Sequence, residues 1–130
     1  MEHQHDATQS GGTEHPQLRH ERDAQDRLLH LGAADLPRRP WRPDPMPPTA
    51  VDLVQFALWK SADLTADDLS SALALLPAAR AEVEGTEIGL VFNARAAGLT
   101  WAQIAEAMGF RSPQACQQYV TRLSTKRGAQ

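Results

Sequence analysis

Proline and aromatic residues occupy different parts of this chain, and that separation limits where a core can form. Seven of the nine prolines lie in residues 1–48: Pro16, Pro37, Pro40, Pro43, Pro45, Pro47 and Pro48. Six of the seven aromatic residues lie after residue 48, Trp41 being the exception. Residues 1–48 also hold all five histidines and lack a sustained apolar period. A segment of that composition cannot bury enough apolar surface to order itself. The expectation is a disordered Pro/His-rich tail and linker over 1–48. Residues 37–48 form its stiff, extended part, because each proline turns its predecessor away from the helical region. Residues 26–31 fit one short helical turn. The remaining 82 of 130 residues can bury a modest core.

The net charge of −3 conceals a gradient. Residues 1–48 carry net −2, residues 49–97 net −4 and residues 98–130 net +3. A phosphate responds to local charge, since salt screens fields over about 8 Å. The basic C-terminal third is therefore where an anionic partner would bind. No run of 18 apolar residues exists, so no membrane span is expected. The opening MEHQHDATQS is polar and acidic, unlike a secretory signal. A single cysteine, Cys116, forms no internal disulfide, and a cytoplasmic, nucleoid-associated location is expected.

From residue 49 onward the pattern is helical. Val51, Val54, Leu58 and Ala62 recur at helical spacing, but Leu53, Phe56, Ala57 and Trp59 are apolar too. A helix apolar over most of its circumference is central to a core or shared with a partner. Thr65 caps a second helix, with Asp67 and Asp68 in its first turn and Leu69, Ala72, Leu73 and Leu76 as its stripe. Pro77 stops that helix and suits the start of the next. Residues 78–97 form the longest helix. Ala81, Gly85 and Gly89 align along it, which suggests close approach by another backbone, or else a break near Gly85. Gly98 caps its end. The capping box Thr100/Gln103 opens a fourth helix, which Gly109 closes. Ser112 and Pro113 begin a fifth, residues 113–124. The expected fold is all-α: a compact domain over 49–127, of about five helices, ending in a helix-turn-helix at 100–123.

That last motif carries the functional reading. Ile104, Ala105 and Met108 line the first short helix; Ala105 is small enough for the next helix to cross it. Gly109 makes the tight turn and Phe110 fills the space between the helices. The second helix turns Cys116, Val120 and Leu123 inward and Gln114, Gln117, Gln118 and Thr121 outward. Glutamine pairs with the N6/N7 edge of adenine in the major groove. Arg111, Ser112, Arg122, Lys126 and Arg127 flank the row and suit phosphates, which supply affinity while bases supply sequence choice. The expected partner is double-stranded DNA. The alternative is a helical protein-interaction module that keeps this shape without binding DNA, a reading favoured by the acidic middle of the chain and by Tyr119.

Residues 51–123 resemble a family of small actinobacterial helix-turn-helix DNA-binding proteins. Three blocks carry the resemblance: LPAARAE at 76–82, ARAAGLTWAQIAEAMG at 94–109 and RSPQACQQ at 111–118. The general motif is also similar to the DNA-reading region of sigma factors. The resemblance implies an all-α fold and transcriptional regulation. Members often carry a basic residue where Tyr119 stands here, which implies one fewer DNA contact.

Other chemistry finds little support. His3, His5, His15, His20 and His30 lack the spacing and partners of a zinc site, so no metal is expected. Cys116 reads as a small core residue and Trp101 as a core plug. No nucleophile–base set, phosphate loop or carboxylate pair occurs in the helical part, so neither enzyme activity nor a cofactor is expected. A small module reading DNA gains from doubling, and residues 49–62 offer a homodimer interface.

Overall fold

The structure, a computed structural model, describes residues 15–42 and 46–128. The described residues are helical throughout, with six α-helices and no strand. These are α1 (Pro16–His30), α2 (Ala50–Trp59), α3 (Ala66–Ala74), α4 (Leu76–Ala96), α5 (Trp101–Met108) and α6 (Pro113–Gly128). Short 3-10 turns at Ala33–Asp35 and Ser61–Asp63 follow α1 and α2. The chain divides into two compact units, Met1–Arg80 and Ala81–Gln130. None of the described helices is long and apolar enough to cross a membrane.

All five expected helices are present, and α1 precedes them. The expectation of disorder therefore needs correction over residues 16–42; residues 1–14 lie outside the described part. Helix α1 starts on Pro16, whose missing N–H costs nothing in a first turn. The His15 imidazole Nδ1 accepts the Gln17 amide at 3.1 Å. Only Ala24 and Leu28, four residues apart, are buried along it. Together they join Ala33, Leu53, Phe56, Ala57 and Leu75 in the core of the first unit. Most of α1 is polar, so packing against α2 and α3, not its own periodicity, holds it in place.

One carboxylate ties α3 to α1. Asp68 accepts the Thr65 amide at 3.0 Å, and Thr65 Oγ1 accepts the Asp68 amide at 3.1 Å. The other Asp68 oxygen accepts Arg27 Nε at 2.8 Å. These bonds, the Thr65 amide first and Arg27 next, hold the Asp68 carboxyl below the usual aspartate range. The proline-rich stretch is anchored as well. Arg42 is buried, pairs with Asp52 and donates to the Pro37 carbonyl at 3.2 Å. Asp52 in turn caps α2 through the Thr49 amide at 3.1 Å.

Helix α2 buries one side of its apolar circumference, and the inward face of α3 differs from the expected one. Leu53, Phe56 and Ala57 point into the core, whereas Leu58 and Trp59 are exposed. On α3 the buried residue is Asp68, while Leu69 and Leu73 are exposed. Leu75, in the turn before α4, takes the core position instead. Helix α1 packs on the Asp68 side of α3, where Arg27 pairs with Asp68, and the leucine row lies on the other side.

In the second unit, Val91 of α4 packs with Ile104, Ala105 and Cys116. Trp101, Met108, Phe110 and Val120 pack around them. Helix α4 runs through Gly85 without a break. The expected backbone approach at the glycines is absent. A Cβ on Gly85 would meet the Arg127 guanidinium at 3.0–3.3 Å, a side chain, and one on Gly89 would meet nothing within 4 Å.

Two outcomes test the first unit. Leu28→Ala removes a fully buried side chain and should cost about 2–5 kcal/mol in chemical denaturation. A disordered α1 would show no loss. The lowered Asp68 carboxyl adds stability that is present above the unfolded-state value and disappears as pH falls through the folded one. Melting followed from neutral pH into acid should therefore show a shallower acid decline in Asp68→Asn than in wild type.

Candidate nucleic-acid interface

Each part of the helix-turn-helix is fixed by a local bond. Thr100 Oγ1 accepts the Gln103 amide at 3.1 Å, and Gln103 Oε1 accepts the Thr100 amide at 2.8 Å. This capping box starts α5. Gly109 ends it at φ +83°, a left-handed conformation that costs glycine nothing. The Phe110 amide then donates back to the Ala105 carbonyl at 2.8 Å. Ser112 Oγ accepts the Ala115 amide at 3.1 Å and begins α6, with Pro113 as its first residue.

Packing decides which side of α6 faces out. Cys116 is fully buried, with its Sγ 3.9 Å from Met108 Sδ, and burial pushes its thiol pKa up. Ala105 is 2% exposed beneath the second helix. The Phe110 and Tyr119 rings lie 5.1 Å apart, tilted by 48°. The Tyr119 hydroxyl donates to Glu87 at 2.7 Å, a bond that raises its pKa. Tyr119 is thus a tie between α6 and α4. Trp101 is partly buried and carries the Arg95 guanidinium over its ring at 5.4 Å.

The opposite side of α6 is open. Gln114, Gln117, Gln118 and Thr121 are all exposed, as the sequence pattern predicts. Arg111 and Arg122 are exposed beside them and form no ion pair among the described residues. Ser112 is half-buried and serves as a cap. Thr125 is exposed, four residues after Thr121, and extends the row by one turn. The expected site omitted it, although the i, i+4 rule reaches it.

Two expected site residues, both exposed, also reach back to α4. Lys126 Nζ lies 3.3 Å from Glu84 Oε1, and Arg127 donates to the Ala81 carbonyl at 2.8 Å. Arg127 follows Leu123 by four residues, so it comes round to the buried side of α6 and turns onto α4. Neither cation flanks the glutamine row. The local charge of +3 therefore overstates what α6 offers a phosphate.

Among the described residues, no three His, Cys, Asp or Glu side chains are grouped to hold a metal ion. His3 and His5 lie outside the described residues. No family model, curated protein or solved structure matches the chain.

The crossing at Ala105 is testable. Ala105→Leu inserts three carbons between α5 and α6 and should cost about 1–3 kcal/mol. An unchanged thermal midpoint would show that α6 does not rest on this residue.

Proposed function

We propose that the chain is a sequence-specific DNA-binding protein, a transcriptional regulator that reads the major groove with α6. The observation that carries this is the exposed row Gln114, Gln117, Gln118 and Thr121, set opposite the buried Cys116 and Leu123. Glutamine amides carry both donor and acceptor, which a base edge requires. Ser112 and the first turn of α6 lie where this motif class approaches the phosphate backbone. Arg111 and Arg122 are the flanking cations. Membership of the small actinobacterial helix-turn-helix family and a nucleoid location belong to the same proposal. So does a second copy of the chain as partner, because two cations flanking the row on each copy give few phosphate contacts. The reading gives the chain no catalytic role.

A second reading has one observation behind it. Lys126 and Arg127 are engaged with α4, and the acidic Glu84 and Glu87 answer α6 from within the unit. A helical protein-interaction module would be built that way, with its polar face uncharged.

Mobility shifts across a salt series separate the two. DNA binding must weaken steeply as salt rises, and an interaction module shows no such dependence. Gln114→Ala and Gln118→Ala should each weaken specific binding by about 1–3 kcal/mol and spare random DNA. Arg122→Ala should weaken both and reduce the salt slope by about one. Arg127→Ala should change the slope less than Arg122→Ala, since its guanidinium faces Gly85. Equal losses on specific and random DNA from the glutamine variants would remove base readout.

A further inference from the structure

The Met1–Arg80 unit leaves the leucines of two helices in solvent. Leu58 is 77% exposed, Leu73 65% and Trp59 73%. Between α2 and α3 lies an open groove of about 390 Å³. Val54, Leu58, Leu69, Leu73 and Leu76 supply its apolar lining, and its polar members, Gln55 and Ser61, are uncharged. Leu58, Trp59 and Leu73 are each more than three-fifths exposed side by side with Leu69, and an exposed apolar patch of a few hundred Å² marks an interaction surface.

The chain has little of its own to cover this face outside the described residues. Residues 1–14 contain only Met1 and Ala7 as apolar side chains, residues 43–45 only two prolines, and residues 129–130 one alanine. A partner recognised by charge would find no counter-charge in the lining. A second copy meets both conditions. It brings an uncharged lining, so no like charges are forced together, and it brings its own Leu58 and Trp59 as protruding side chains.

We infer that a second copy of this chain occupies the α2/α3 groove. The contact is two-fold, each copy inserting the Leu58 and Trp59 edge into the groove of the other. The surface differs from one spread over residues 49–62, because Leu53, Phe56 and Ala57 are used up in the core and α3 supplies the other wall. The need for a second copy rests on the DNA-binding reading, in which Arg111 and Arg122 alone flank each reading helix. The groove itself does not depend on that reading.

Sedimentation equilibrium of the full chain without DNA tests it, over about 1–100 µM, the range of a moderate self-association. The expected mass approaches twice 14.2 kDa at the upper end. Leu73→Glu should raise the dimer dissociation constant at least tenfold at unchanged helicity, because Leu73 is exposed. Trp59→Ser should do the same and stands in if Leu73→Glu fails to fold. Phe92→Glu, also exposed but on α4, should leave association unchanged. A wild type that stays at 14.2 kDa across the range overturns the inference. So does a dimer that Phe92→Glu breaks and Leu73→Glu does not. A dimer that shows no salt-dependent shift on DNA keeps the interface and removes the DNA reading alone.

Discussion

The contact of α6 with Ala105 is the constraint from which the reading surface follows. A methyl group at this position lets the second helix settle onto α5, and the Phe110 amide closes the turn onto the carbonyl of the same residue. With the turn fixed at both ends, the rotation of α6 is fixed too. Cys116 and Leu123 are committed inward, and the glutamine row has nowhere to go but out. Tyr119 adds a second restraint through Glu87, which prevents α6 from rolling on its own axis. The polar face is thus a consequence of packing on its reverse side.

The helix-turn-helix was legible because its signals are local. A Thr/Gln capping box, a glycine in the left-handed region and a Ser-Pro start lie within fourteen residues of each other, and each acts on its nearest neighbours. What could not be read was whatever depends on another element. Helix α1 commits only two buried side chains in fifteen residues, and no periodicity analysis isolates two residues from a polar background. Helix α1 packs against the side of α3 that carries Asp68, and Leu69 and Leu73 of the expected stripe are surface. The contacts of Lys126 and Arg127 were out of reach for a similar reason. Sequence shows that a cation is near the end of a helix, but its partners, Glu84 and the Ala81 carbonyl, lie more than forty residues away.

Apolar and cationic groups therefore end up in opposite positions from those their sequence suggests. Leu69 and Leu73, expected on the inward stripe of α3, are exposed, and Lys126 and Arg127 of α6 reach back to α4 while staying exposed. Both changes act in the same direction. One copy offers less to a polyanion and more to another apolar surface than its composition implies.

Gly85 gives this arrangement an adjustable element. Its missing side chain leaves a notch on α4 that the Arg127 guanidinium fills, within 3.3 Å of where a Cβ would stand. Alanine there would improve the helix by about 0.5–1 kcal/mol, and the exposed, flexible Arg127 guanidinium would have to give by a few tenths of an ångström to admit it. One methyl group on α4 would thus be felt at the far end of α6, by a side chain that no local sequence pattern connects to it.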